Sequence, residues 1–261
     1  QMLRLKYNQD LAIGVVCASG SLGTMIPPSI VLIIYGLVSS TSITLLFKEA
    51  FVPGLMLSGL IIAYILIRTR LQPHLAPIDE NDPALSFREK LKYLRGFVPP
   101  AILVVVVLGS IYAGITGITE AAGIGCIFTL VIIYFRKELS WFLFKDAVTR
   151  TFKATGTIIT ITFGATVLAG AYSLIGGPAY VASSILDLNV APMTVIAIMM
   201  LIFLFLGAFM DWTGIVLLTM PVFLPIVIKL GYDPIWFGIL FCINMQVSFL
   251  SPPFGPAAFY L

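Results

Sequence analysis

The fold of this chain is decided by residues 20–29, GSLGTMIPPS, and a related stretch follows at residues 248–255, SFLSPPFG. A proline has no backbone N–H and clashes with the preceding helical turn, so two prolines in succession end one helix and allow the next to begin. Apolar segments flank both stretches. We therefore predict that each Pro-Pro turn is the tip of an apolar helical hairpin.

The composition of the chain places it in a lipid bilayer. The 261 residues are 59% hydrophobic and 10% charged, and the mean hydropathy is +1.06. A soluble domain carries about 25% charged residues, and a chain of this length has no means of hiding so much apolar surface from water, so lipid must cover part of it. The net charge of +3 is too small to indicate a nucleic-acid partner, and the basic segment from Arg88 to Arg95 is typical of a membrane surface.

Apolar segments follow one another along the whole chain, and six of them approach the length of a membrane span, about 17–25 residues. These six are Phe51–Ile67, Phe97–Ala113, Glu120–Phe135, Thr157–Ile175, Met193–Met210 and Thr213–Ile228. Two pairs are too short to cross and surround the Pro-Pro turns: Leu11–Ala18 with Met25–Val38, and Ile235–Phe249 with Phe254–Leu261. We predict an all-α integral membrane protein, a multi-span helical transporter with two re-entrant hairpins in inverted repeats.

The chemistry of the two tips suits ions. Irregular backbone at membrane depth is tolerated only where it is buried in protein or lines a wet cavity. A helix that begins at Pro28 or Pro253 points free N–H groups at the tip, which suits an anionic group. Hydroxyl and carbonyl oxygens for a small cation come from Ser19, Ser21, Thr24, Ser248 and Ser251. The alternative, a Pro-kinked span whose serines bond only to the backbone, stays open.

Three polar side chains in apolar surroundings are further candidates. Asp211 lies between two predicted spans, where burial of a carboxylate is costly, so a functional role is the default hypothesis. It could bind sodium, relay a proton, or cap the helix that begins at Thr213. For Glu120 we expect a structural role as an acid in the first turn of its helix. Asn244 could face the cavity or hydrogen-bond across helices.

No catalytic constellation accompanies these segments, so we expect no enzyme activity and no cofactor. The single histidine, His74, lies in a charged loop, and no GxGD motif accompanies Asp211, which argues against an intramembrane protease. The three cysteines, Cys17, Cys126 and Cys242, lie apart and lack the spacing of a metal site.

The chain divides into six segments by composition. We assign residues 1–38 to the first re-entrant hairpin, 39–96 to an amphipathic arm with a span and a cytoplasmic loop, and 97–135 to a broken helix or helix pair. We assign 136–192 to a second arm with a span and a periplasmic loop, 193–230 to a broken helix pair around Asp211, and 231–261 to the second hairpin.

Four blocks of residues resemble the large membrane subunit of the tripartite ATP-independent periplasmic (TRAP) transporters. The first block runs from Met2 to Ile34 and includes the first tip. The others are GITGITEAA at residues 114–122, GAFMD at 207–211 with LLTMP at 217–221, and the second tip at 248–255. They follow the family's order and cover essentially the whole chain.

The resemblance implies an elevator-type, sodium-coupled importer of an organic acid, similar to the ion-transporter superfamily and located in a bacterial or archaeal inner membrane. It implies two protein partners, a small four-helix membrane subunit of the Q type and a periplasmic substrate-binding protein of the P type, with sodium as the coupling ion. The family's subunit extends beyond both ends of this sequence, so we expect a fragment. The alternative is a stand-alone sodium- or proton-coupled anion transporter or exchanger of the same superfamily.

The tip chemistry and the resemblance together assign the site residues. The substrate-binding residues are Ser21, Thr24, Pro28, Ser29, Ser248, Ser251, Pro252 and Pro253. The sodium-binding residues are Ser19, Gly20, Asp211 and Thr213, with Thr116, Gly117, Ile118 and Thr119 implied by the resemblance alone. Relatives often carry proline at the position of Ile118. Residues 246–251 depart from the Gly-containing tip of common relatives, so we expect the second tip to set substrate preference.

Overall fold

The computed structural model describes residues 2, 7–77, 96–186 and 190–251, and the regular elements in these ranges are all helices. They are α1 Gln9–Leu22, α2 Ile30–Ser39, α3 Ile43–Leu71, α4 Val98–Tyr112, α5 Ile118–Phe135, α6 Trp141–Leu174, α7 Gly177–Leu186, α8 Pro192–Gly207, α9 Trp212–Lys229 and α10 Pro234–Leu250. A short 3-10 helix, Pro73–Leu75, follows α3. The prediction of an all-helical chain is confirmed for this part of the sequence.

Four of these helices, α3, α5, α6 and α9, are long and apolar enough to cross a membrane. Others are shorter, and the two that flank the first Pro-Pro turn have 14 residues in α1 and 10 in α2. At 1.5 Å per residue, their lengths are about 21 Å and 15 Å, against a hydrocarbon core of about 30 Å. Neither helix reaches across a bilayer by itself.

Two long helices combine parts that the sequence suggested as separate. The predicted amphipathic arm and the span Phe51–Ile67 form one helix, α3, which continues through Pro53. In the same way, α6 contains nearly all of the predicted span Thr157–Ile175 and begins at Trp141. The shift in composition did not mark a helix end, because helix continuity depends on backbone hydrogen bonds and not on which solvent the side chains meet.

The chain packs as two compact units, Gln1–Pro77 with Thr157–Leu261, and Ile78–Gly156. In the second unit, α4 and α5 pack against each other. The contact is close at Gly125 of α5, where an added Cβ atom would lie 3.3 Å from Val107 Cγ2 of α4. Leu108, Ile111 and Ala121 are buried in this unit.

The first unit is organised around α10, which packs against α1, α2, α3, α8 and α9. An aromatic cluster fills its core: Phe203 of α8 lies 5.0 Å from Phe241 and 6.0 Å from Phe237, measured between ring centroids. Tyr35 of α2 stacks on Phe241 at 6.2 Å, and its hydroxyl donates to Pro234 O at 2.5 Å. All four rings are fully buried, so the start of α10 is held against α2 and α8.

The close approach of α2 to α10 requires a glycine at position 238. A Cβ atom there would overlap the ring of Tyr35. Because Tyr35 is fully buried and its hydroxyl is bonded to Pro234 O, the ring has little room to move aside.

We expect Gly238→Ala to lower the thermal unfolding midpoint of the purified full-length permease, because overpacking of a core costs about 1–3 kcal/mol. The matched control is Gly59→Ala on α3, where an added Cβ meets no atom within 4 Å. The control should leave the midpoint unchanged or raise it slightly, since alanine favours helix more than glycine does. Equal midpoints for both variants would contradict this account of the α2–α10 contact.

Candidate functional site

The first Pro-Pro turn separates α1 from α2. α1 ends at Leu22, and α2 begins at Ile30 with Ser29 as its N-cap, whose Oγ accepts a hydrogen bond from Leu32 N at 3.3 Å. The sequence placed the start of this helix at Pro28. The observed start is two residues later because the capping serine takes an extended conformation and supplies the partner that the first turn needs.

The hydroxyls before this turn donate to backbone carbonyls of α1. Ser19 Oγ donates to Val15 O at 2.7 Å, and Ser21 Oγ donates to Ala18 O at 2.9 Å. Thr24 Oγ1 donates to Ser21 O at 2.7 Å. Each hydroxyl has thereby committed its hydrogen, so only its oxygen lone pairs remain to meet a donor or a cation.

A side-chain hydrogen bond joins this first break to α10. Gln246 Nε2 donates to Thr24 Oγ1 at 2.9 Å, between residues 222 positions apart in sequence. The side chain of Gln246 is only 5% exposed. The sequence analysis included Gln246 in the segment 246–251 that was expected to set substrate preference, but did not name it as a binding residue, although an amide inside an otherwise apolar membrane helix is a signal of function or of contact between helices.

The second break begins where α10 ends, at Leu250. Ser251 Oγ donates to Val247 O at 2.7 Å, which completes the last turn. Pro252 and Pro253, predicted to bind substrate, lie outside the described residues, as does the segment Phe254–Leu261 that was predicted to form the second arm of a hairpin.

Ser248 connects the second break to a third one between α8 and α9. It is 5% exposed, its Oγ has no hydrogen-bond partner among the described residues, and a Cβ atom on Gly207 would overlap it. Since Gly207 is the last residue of α8, the absence of a side chain there lets the end of α10 pack directly on the α8 terminus. One turn earlier on α10, Asn244 Nδ2 donates to Met200 O of α8 at 2.8 Å, which is the cross-helix alternative expected for this residue.

Asp211 occupies the third break. It is the N-cap of α9, and its Oδ2 accepts a hydrogen bond from Thr213 N at 3.0 Å. Thr213 is buried, whereas Asp211 is exposed. The capping role considered for Asp211 is present, and its role in sodium binding stays a prediction.

The loop between α4 and α5 belongs to the second unit. Thr116 Oγ1 and Ser110 Oγ lie 3.0 Å apart in a hydrogen bond, and Gly117 precedes α5 as its N-cap. The carboxylate of Glu120, in the first turn of α5, lies over Gly117 so closely that a Cβ there would overlap it. This position fits the structural role expected for Glu120. Ile118 and Thr119 open α5, and their predicted contact with sodium is untested.

A cavity of about 600 Å³ lies between α1 and α3 in the first unit. Apolar residues such as Leu11, Val15 and Ile61 line most of it, with Arg68 among the polar ones. It extends to Ala18, directly before the predicted site residue Ser19. The described residues contain no cluster of three His, Cys, Asp or Glu side chains suited to a metal ion.

The whole chain, residues 1–261, matches the family described as Tripartite ATP-independent periplasmic transporter, DctM component. It is 32% identical to the C4-dicarboxylate TRAP transporter large permease protein DctM of Pseudomonas aeruginosa, over 97% of this chain and 58% of the relative. It is 29% identical to the sialic acid TRAP transporter large permease protein SiaM of Vibrio cholerae, over 97% and 58%. It is 28% identical to the isethionate TRAP transporter permease protein DctMQ of Oleidesulfovibrio alaskensis, over 97% and 40%.

The chain therefore spans about three fifths of the length of the large permease relatives. The relatives are permease subunits of transporters and not enzymes, which confirms the expectation of no enzyme activity. Together with the four apolar helices of spanning length, they make this a multi-pass membrane protein. The match along all 261 residues confirms the resemblance carried by the four sequence blocks, and the chain belongs to the DctM component family of the tripartite ATP-independent periplasmic transporters.

Proposed function

We propose that this chain forms the central part of a sodium-coupled permease subunit that imports an organic acid delivered by a periplasmic binding protein. The observation that carries the proposal is the part-buried hydrogen bond from Gln246 to Thr24, which joins the first helix break to the helix that leads into the second. Interrupted helices in both halves of a transporter expose backbone groups and helix ends at membrane depth, where ions and anions bind.

The polar atoms at the first break match both a cation and an anion. The oxygens of Ser19 and Ser21 have given their hydrogens to carbonyls, so they present only lone pairs, which suits sodium. The capped N-terminus of α2 at Ser29 supplies the positive end of a helix dipole, which suits a carboxylate of the cargo. Asp211 would add one negative charge close to a second helix start and favour the cation.

The lengths of the helices support re-entrant hairpins. Because α1 and α2 are each shorter than the hydrocarbon core, a turn inside the membrane is the arrangement that keeps both ends of the pair on one side. An elevator cycle of alternating access is part of this proposal and is supported by membership of the DctM component family. On this proposal the inner membrane is the location.

The names of the relatives support the class of cargo and one partner. C4-dicarboxylates, sialic acid and isethionate, named for three relatives, are all organic acids. The letters M and Q are joined in the name of the isethionate relative, which supports a small membrane subunit of the Q type as partner. The word tripartite in the family description leaves room for the third component, the binding protein.

The proposal is tested by uptake of radiolabelled organic acids into proteoliposomes that hold the full-length permease with its small subunit. We expect uptake only when an inward sodium gradient and the binding protein are both present. Controls replace sodium by potassium and omit the binding protein in turn. Uptake of free acid without the binding protein would instead support the stand-alone transporter.

A second prediction separates the two roles of Asp211. Asparagine caps a helix about as well as aspartate, so Asp211→Asn should leave the unfolding midpoint unchanged while removing the charge. We expect the sodium concentration for half-maximal uptake to rise about five-fold or more, because the carboxylate no longer attracts the cation.

The matched control is Asp233→Asn, since Asp233 caps α10 through Ile235 N at 2.7 Å and lies at the opposite end of that helix from the breaks. Its sodium dependence should equal that of the wild type. An unchanged sodium dependence in Asp211→Asn would leave Asp211 with the capping role alone.

A further inference from the structure

The amide of Gln246 has an oxygen that nothing in the described part of the chain satisfies. Gln246 is buried, with 5% of the residue exposed, and its Oε1 is a buried atom with no hydrogen-bond partner there. A buried acceptor without a donor is costly, and native proteins avoid it unless water, an ion or a ligand fills the place.

The orientation of this amide follows from its neighbours. Thr24 donates its hydroxyl hydrogen to Ser21 O, and a carbonyl oxygen can only accept, so Thr24 Oγ1 can only accept from Gln246. The amide nitrogen must therefore face Thr24, and its second weak contact, with Cys242 O at 3.4 Å, is also one that only a donor can make. A flipped amide would set oxygen against oxygen at both places.

Gln246 Oε1 therefore requires a hydrogen-bond donor. A carboxylate of the cargo would be repelled by Oε1, because both are acceptors. A sodium ion shared with Thr24 is disfavoured, because the hydrogens of Nε2 already lie against that hydroxyl oxygen. A neutral hydroxyl group meets the requirement without bringing a charge into a buried place.

We propose that Gln246 is a cargo-binding residue whose amide oxygen accepts a hydrogen bond from a hydroxyl group of the transported acid. This inference rests on the proposed function and narrows its cargo to hydroxy acids. Thr24 acts here as a positioning residue, which fixes the amide so that the oxygen is presented. We expect the permease to transport an acid without the hydroxyl less well, because that acid leaves Gln246 Oε1 unpaired.

The test compares pairs of acids that differ by one hydroxyl: malate with succinate, and lactate with propionate. Sodium-driven uptake is measured in proteoliposomes with the full-length permease, its small subunit and the binding protein. For each protein, kcat/KM for the hydroxy acid is divided by kcat/KM for the acid without the hydroxyl. The double ratio is this value for the wild type divided by the value for Gln246→Met. The binding protein is the same in both preparations, so its own preference cancels from this double ratio.

We expect a double ratio of about five or more in favour of the hydroxy acid, the size of effect of an unpaired buried acceptor. The control Thr219→Val removes a buried hydroxyl that donates to Ile215 O of its own helix at 2.6 Å, and its double ratio should be close to one. If Gln246→Met does not assemble, Thr24→Val replaces it, since loss of that acceptor frees the amide to turn.

The inference is overturned if Gln246→Met keeps the wild-type preference for the hydroxy acid. It is also overturned if the wild type takes up both acids of a pair equally, or only the acid without the hydroxyl. None of these results contradicts the proposed function. A changed sodium dependence with an unchanged acid preference also overturns it and assigns the oxygen to the cation. Absence of sodium-driven uptake for every organic acid tried removes the proposed function as well.

Discussion

Two hydrogen bonds between residues far apart in sequence hold helices of the first unit against α10, one near each of its ends. Its N-terminal carbonyl at Pro234 accepts the hydroxyl of Tyr35, and near its C-terminus Gln246 donates to Thr24 beside the first Pro-Pro turn. The position of the turn and the packing of α2 both depend on these contacts with α10.

Glycines set how closely the other helices approach α10. At Gly238 the missing side chain admits the ring of Tyr35, and at Gly207 it admits Ser248. The first contact fixes α2 against α10, whereas the second brings the end of α8 to the end of α10, next to the break that holds Asp211. The same helix, α10, therefore both packs the aromatic core and positions the candidate site.

Much of this could be predicted from the sequence, for local reasons. Paired prolines end helices, so both turns were visible, and Asp211 before Thr213 indicated a helix cap. The start of α2 was placed two residues early, because the capping geometry of Ser29 overrides the preference of proline for a first turn. The sequence did not predict that α3 continues through Pro53, because the change from amphipathic to apolar composition suggested two separate segments. The contact between Thr24 and Gln246 was beyond reach, because nothing in a single sequence relates two polar residues separated by more than two hundred positions.

The central claim is that the first helix break and α10 are joined by Thr24 and Gln246. A cryo-EM map of the full-length permease with its small subunit, in sodium and in lipid, measures this contact directly. The account predicts density that places the amide of Gln246 within hydrogen-bonding distance of the Thr24 hydroxyl, about 3 Å. Side chains separated by lipid or by another helix would contradict it.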